Sequence, residues 1–394
     1  MKTKVMDVVR GEWGQRFIIL FIICVVMAVT DLETLKFFSL ANVTNIILRI
    51  AVYGIMSCGM LFVVLLGGLD LSVGSTAGMA CTLQMLIAEQ NGWGATAILK
   101  GFAVAMVFCI VVGIVHGFLV TKINMHSFVA TLATKYIIYG CIPMLTAGAY
   151  IQVPISGVGV ITAIGSGKIF GIPIAIIVFF VIALICWFIL NKITFGRRIY
   201  NIGGNPVASK FVGIKVNMDT TLAFVICSVL AGLAGIVLGS RILQVGQTTA
   251  FGYEGYVLMA LIVGGINLAG GKGTVAGAVF GALLVGIIDN ILTLLNVHPD
   301  TTKFVQGAII LGAVIVSVIA ENRNRRGLSR KARRALEIAR QLEEEENAAN
   351  ATVESVTESV GVSVKDAIDE VAEQGAEEVA DETAVEEAGQ DLKE

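Results

Sequence analysis

The chain has 394 residues, of which 56% are hydrophobic and only 15% charged, with a mean hydropathy of +0.84. A soluble domain is nearer half apolar and a quarter charged, so this balance excludes a soluble enzyme or a nucleic-acid-binding module and places the chain in a membrane. The net charge of −2 conceals three zones: 18 basic and 10 acidic residues over 1–320, 8 and 2 over 321–340, and 2 and 18 over 341–394. They divide the chain into a transmembrane domain (1–320), a basic juxtamembrane helix (321–342) and an acidic tail (343–394).

A spanning helix needs about 20 mostly apolar residues. Ten segments qualify, the first and eighth being short: 14–30, 46–66, 73–90, 95–120, 126–146, 171–191, 218–239, 254–268, 274–295 and 304–320. The expected fold class is therefore an all-α polytopic membrane protein of about ten transmembrane helices. The run 17–29 lacks a small-x-small cleavage pattern and reads as a retained first span. With the N-terminus inside, Lys122, Lys192, Arg197, Arg198, Lys210, Lys215 and Lys272 fall on the cytoplasmic side, and the opposite loops carry one basic residue each. The positive-inside rule then places both termini in the cytoplasm. Segment 147–170 reads as an ordered external loop with short extended pieces. The collar after 320 places leucines and alanines on one helical face and arginines elsewhere, suited to anionic lipid headgroups. The acidic tail is too poor in apolar side chains to offset its ordering entropy, and is expected to be disordered.

Two breaks interrupt this pattern. Gly67-Gly68-Leu69-Asp70-Leu71-Ser72 joins the second and third spans, and Gly264-Gly265-Ile266-Asn267-Leu268 follows the eighth. Paired glycines let helices break at depth or let backbones approach closely, as a substrate pathway at a repeat interface requires. Asp70 reads either as a pathway element or, with Ser72, as the N-cap of the helix from Val73, and Asn267 is the equivalent cap in the second break. The topology puts both breaks toward the cytoplasm, whereas an inverted repeat would separate them. Gly270-Gly271-Lys272-Gly273-Thr274 is not a phosphate-binding loop, because Ile266 stands where the first glycine is required and Gly273 follows the lysine. It reads as a tight turn, and any ATPase must be a separate polypeptide.

Lys135, Glu254 and Asp289 lie within or beside spans, where a charge marks a functional site by default. Glu254 and Arg241 are expected in external solvent, Lys135 and Asp289 form a conceivable pair, and Asp289 and Asn290 are placed to hold helices together. His116 is expected to make one interhelical hydrogen bond. Phe128, Tyr136 and Tyr139 are expected to face lipid or pack between helices. The seven cysteines lie singly in apolar runs and read as small buried hydrophobes, neither disulfides nor metal ligands. No convergent nucleophile, base or metal cluster points to an intramembrane enzyme.

The segment 192–217 is polar and lies between two spans. Asn205 caps a short helix, with Pro206 at its first position and Gly213 ending it. A helix of about eight residues is marginal alone and calls for a partner's groove.

The run Gly203-Gly204-Asn205-Pro206-x-Ala208-Ser209-x-x-x-Gly213-Ile214 resembles the coupling loop of permeases from bacterial ABC importers of the ribose and galactose type, with Ser209 replacing an alanine. Gly67 to Gly74 and Gly264 to Thr274 resemble two further elements of that family, in the same order, and the similarity spans about 40 to 320. The resemblance implies a type II importer permease that does no bond chemistry and binds no cofactor. Its partners would be two cytoplasmic ATPase subunits that hydrolyse ATP and bind around Asn205 to Gly213. A second permease copy would complete a homodimer, and an extracytoplasmic binding protein would deliver a monosaccharide. The competing reading is a self-contained secondary transporter of a small polar solute.

Overall fold

The computed structural model describes residues 37–312, apart from 164 and 299, together with 315. The expected first span, the basic collar and the acidic tail lie outside the described residues, as does the end of the tenth span. The helices are α1 (Leu40–Leu65), α2 (Val73–Gln90), α3 (Ala95–Thr121), α4 (Ser127–Thr146), α5 (Ile155–Thr162), α6 (Ile174–Lys192), α7 (Thr194–Gly204), α8 (Pro206–Phe211), α9 (Val216–Ile242), α10 (Tyr253–Val263) and α11 (Val275–Leu294). Residues 300–312 form a further helix, α12. Two small ladders complete the set: β1 (Ile151–Gln152) pairs antiparallel with β4 (Gln244–Val245), and β2 (Lys168–Ile169) with β3 (Ile172–Pro173).

Among the described residues, six helices are long and apolar enough to cross a membrane: α1, α3, α4, α6, α9 and α11. They coincide with six of the ten expected segments. The segment 73–90 is helical as read, but α2 carries Ser75, Thr76, Thr82 and Gln84, all buried by neighbouring helices. The segment 254–268 forms only the eleven-residue α10, which stops at the second Gly-Gly break. The loop 147–170 has the expected short extended pieces and adds α5.

Burial sorts the helices into a centre and a rim. In α1, 89% of the apolar window is inside the protein, against 22% in α4 and 28% in α6. The helix α1 is packed by α9, α11, α6 and α10, so an almost uniformly apolar sequence is what its position requires. The rim helices turn long apolar side chains outward, such as Val107, Ile110, Val111 and Ile114 on α3 and Leu184, Ile185 and Phe188 on α6. With lipid as solvent there is little hydrophobic gain in joining helices, and close backbone packing takes over. At Gly113 of α3 an added Cβ would stand 2.8 Å from Val225 N of α9, and at Gly235 of α9 one would stand 2.8 Å from Ala77 Cα of α2. The described cysteines are buried or half-buried and free.

Candidate functional site

Helix α1 ends at Leu65, and Gly67, at φ +83°, turns the chain out of helical geometry. The Asp70 carboxylate is fully buried, and its Oδ1 accepts hydrogen bonds from Ser72 N at 2.9 Å and Ser72 Oγ at 2.6 Å. This is an Asx turn. Ser72 occupies the N-cap position of α2, but its hydroxyl donates to Asp70 and makes no capping bond, so the capping expectation is corrected for both residues. The exposed N–H groups of the break are taken up by the first turn of α4: Leu69 N donates to Ser127 Oγ at 3.1 Å and Leu71 N to Thr131 Oγ1 at 3.1 Å. Non-helical backbone is tolerated at membrane depth only when protein satisfies it in this way.

The second Asp70 oxygen, Oδ2, lies 3.8 Å from His116 Nδ1 of α3, and both side chains have no exposed surface. Neither His116 nitrogen has a hydrogen-bond partner among the described residues, so the expected interhelical hydrogen bond is replaced by this longer contact. Phe224 of α9 meets the imidazole edge-on at 5.8 Å.

The second break has the same local chemistry. Asn267 Oδ1 accepts from Ala269 N at 3.0 Å, again an Asx turn, and Asn267 N donates to Lys272 O at 2.9 Å. The cap of α11 is Thr274, whose hydroxyl accepts from Gly277 N at 3.0 Å, which corrects the capping role read for Asn267. Gly265, Gly270 and Gly271 all have positive φ, giving the tight turn the sequence called for. Gly264 lies so close to Gly277 of α11 that each would drive a Cβ into the other's carbonyl.

The two breaks meet. Gly271 N donates to Leu65 O at 2.8 Å, and a Cβ at Gly67 would stand 3.2 Å from Ala269 O. They therefore share one face. The segment 192–217 lies on that same face: a Cβ at Gly203 would collide with Leu65 O and stand 2.6 Å from Gly271 N. Tyr200 of α7 donates its hydroxyl to Gly273 O at 2.8 Å, and burial there raises its phenol above the usual value.

The helix α7 is amphipathic, with Phe195, Gly196, Ile199 and Ile202 buried. Arg198 forms a two-pronged pair with Asp219 of α9, Nε to Oδ2 at 2.7 Å and Nη2 to Oδ1 at 2.9 Å. Asn205 caps α8 as expected: its Oδ1 accepts from Ala208 N at 3.0 Å, Pro206 is the first helical residue, and Gly213 turns at φ +82°. The cap fixes a helix of six residues rather than eight. Gly204, Asn205, Pro206 and Ala208 face outward.

Among the sequence-selected residues, Gly67, Gly203, Gly264 and Gly265 belong to this junction, Gly68, Asp70 and Ser72 to its α2–α4 flank, and Gly213 to its outer surface. Sequence reasoning placed Gly271 only in a tight turn, did not single out Tyr200, and used Arg198 only as a topological charge. Their common signal was position, within a glycine turn or one helical turn from Gly203.

The membrane-depth charges pair differently from the expectation. Lys135 Nζ lies 2.6 Å from Glu254 Oε1, with both side chains largely buried, so Glu254 is not in external solvent and Lys135 does not pair with Asp289. Asp289 is instead engaged by Arg49 of α1 and by Tyr53, whose hydroxyl donates at 3.1 Å. Asn290 and Asn42 exchange amide hydrogen bonds at 3.0 and 2.8 Å, so Asp289 and Asn290 do tie α11 to α1. Phe128 and Tyr136 are exposed and Tyr139 is packed between helices, where it donates to Ala250 O at 2.9 Å, all within the expectation.

The chain matches the family described as branched-chain amino acid transport system / permease component over residues 42–314. It is 33% identical over 301 residues to the ribose import permease protein of Haemophilus influenzae, covering 76% of this chain and 90% of that one. It is 32% identical over 301 residues to the L-arabinose transport system permease protein of Escherichia coli, covering 76% and 87%. The D-allose transport system permease protein of Escherichia coli is 30% identical over 298 residues, covering 75% and 89%. No solved structure matches the chain. With three ordered motifs folded into one junction and more than two thirds of its length matched, the chain belongs to the branched-chain amino acid transport system / permease component family.

Proposed function

We propose that this chain is the membrane-spanning subunit of an ATP-driven monosaccharide importer, worked by separate ATPase subunits that grip the segment 192–217. One observation carries the reading. The outward surface of α8 shows Val207, Phe211 and Val212 at 63, 87 and 75% exposure, while Gly203, at the end of α7, touches the backbone of both helix breaks. An apolar, unpartnered surface suits a partner's groove, and a displacement applied there reaches both breaks through backbone contact. The names of the relatives support a pentose or hexose as cargo.

The break face is the cytoplasmic one on this reading, with both termini on that side. Exposed Lys122, Lys192, Arg197, Lys210, Lys215 and Lys272 all lie on it, as the positive-inside rule requires. The chain binds no cofactor and makes no bond itself. ATP hydrolysis in the partners changes the free-energy difference between outward- and inward-open states. A second copy of the chain completes the pathway, a binding protein delivers the sugar outside, and lipid meets the apolar rim of α3, α4 and α6. Fixed cations already neutralise Asp219, Glu254 and Asp289, which leaves Asp70, among the described residues, as the one buried carboxylate without a lysine or arginine partner for an ion-coupled secondary transporter to titrate.

The test is reconstitution of the full chain in liposomes with its ATPase subunits and binding protein. Labelled D-ribose, L-arabinose or D-allose should accumulate only with ATP. Phe211→Glu should abolish uptake and ATPase capture while leaving the permease folded. Uptake by the chain alone, driven by an ion gradient, would refute the proposal.

A further inference from the structure

The face opposite the α7–α8 surface holds a pocket of about 630 Å³ between the start of α10, the end of α11 and α12. Small-molecule sites commonly enclose about 300–1,000 Å³. We infer that this pocket is a monosaccharide site inside the permease, where the sugar rests before the pathway turns inward. The inference deepens the importer reading and rests on it.

Three features of the lining favour a neutral, hydroxyl-rich ring. The first is aromatic surface. Phe251 and Tyr256 line the pocket, and Tyr256 is stacked on Tyr53 with ring centroids 5.0 Å apart and planes within 13°. A sugar has a polar rim and an apolar C–H face, and a fixed ring accepts the latter at little entropic cost. The second is a set of planar or hydroxylic polar groups, Asp289, Asn296, Thr302 and Gln306, spread around the same space. Gln306 Nε2 is buried without an acceptor among the described residues, close against Gly255, which has no side chain to displace it.

The third feature is charge. Asp289 is matched by Arg49, and at the rim Lys303 and His298 both face Asp300, at 3.3 and 3.5 Å. Among the described residues, every charge in the lining has a partner, and none stands alone to select an anion, a cation or a zwitterion. This weighs for a sugar over an amino acid, although the family's description names the latter.

The experiment is saturation-transfer NMR on the full chain in detergent, with D-ribose, L-arabinose and D-allose as probes and L-leucine as the comparison. At least one sugar should receive saturation from the wild-type chain. The signal should fall at least about fivefold, the factor for one lost hydrogen bond, in Gln306→Leu. It should fall similarly in Thr302→Trp, which fills the pocket from a half-buried rim position. In the assembled importer the same variants should raise the KM for uptake while ATPase capture stays intact. Absent saturation from all three sugars, or unchanged signals in both variants, overturns the pocket assignment, and continued sugar uptake by the complex would leave the importer reading standing. Saturation and uptake of L-leucine with no sugar would overturn both.

Discussion

Neighbouring glycines should respond in opposite ways to the same substitution. In Gly203→Ala the new Cβ would collide with Leu65 O and stand 2.6 Å from Gly271 N. Both are backbone atoms in turns already fixed by the Gly271 N to Leu65 O hydrogen bond of 2.8 Å, so neither can rotate aside. Overpacking of this kind costs about 1–3 kcal/mol and sometimes more, against a gain of about 0.5–1 kcal/mol from replacing glycine by alanine within a helix. The net expectation is a loss of about 1–2 kcal/mol or more, together with displacement of α7 from the junction. At Gly204 an added Cβ meets nothing within 4 Å, so Gly204→Ala keeps only the helical gain. The described cysteines are mostly buried and free, so a thiol-reactive fluorophore in a thermal ramp reports unfolding directly. Gly203→Ala should melt several degrees below wild type and fail in uptake. Gly204→Ala should melt at or above wild type, and Gly204→Trp should stay folded yet lose the ATPase. Wild-type melting and uptake by Gly203→Ala would refute the claim that backbone contact holds the junction.

Three further substitutions test the polar supports. Arg198→Ala leaves the Asp219 carboxylate, 2% exposed, without its partner; Arg198 is 40% exposed, so a discounted loss of about 1–2 kcal/mol is expected, and a double-mutant cycle with Asp219→Asn should show coupling. Lys135→Met and Glu254→Gln should each destabilise by about 3–5 kcal/mol while the double variant recovers much of the loss, because one buried charge alone is worse than none; additive losses would count against the pair. Thr131→Val removes the acceptor for Leu71 N at constant shape and should cost about 1–3 kcal/mol, with faster amide exchange at Leu71 as the local readout.

The helices were legible because apolar runs of spanning length have few alternatives in a membrane, and the six long ones lie where hydropathy put them. The breaks were legible as positions but not as geometry. Asp, Asn and Ser serve equally as N-caps and as Asx-turn residues, and the choice depends on whether the next helix starts at once. Thr274 takes over the capping of α11 because six residues, three of them glycines with positive φ, separate it from Asn267. Partnerships between distant helices were beyond reach. Lys135 finds Glu254 rather than Asp289 because α4 packs against α2, beside the start of α10, while Asp289 faces α1 and its Arg49. Rotation and register between helices set those pairings, and neither is written in a local run of residues.

What the junction adds is a mechanical consequence of glycine. Where two helices touch through long side chains, rotamer changes absorb a small displacement of one relative to the other. At Gly203, Leu65 and Gly271 the contact is backbone on backbone, and Tyr200 ties α7 to Gly273 by a second bond of 2.8 Å. A shift of α7 must then either carry both breaks with it or part from them, giving up the close backbone contact at Gly203 and the Tyr200 to Gly273 O hydrogen bond, the latter alone worth about 0.5–1.5 kcal/mol. The first course is cheaper if the breaks are free to pivot, and their positive-φ glycines are the residues least resistant to such pivoting. On the proposed reading, this makes the stroke of the ATPase a steric push on the two breaks. Tyr200→Phe, which removes one tie but leaves the glycine contact, should then lower the uptake obtained per ATP without abolishing it. An unchanged ratio of sugar transported to ATP hydrolysed would show that the stroke takes another route.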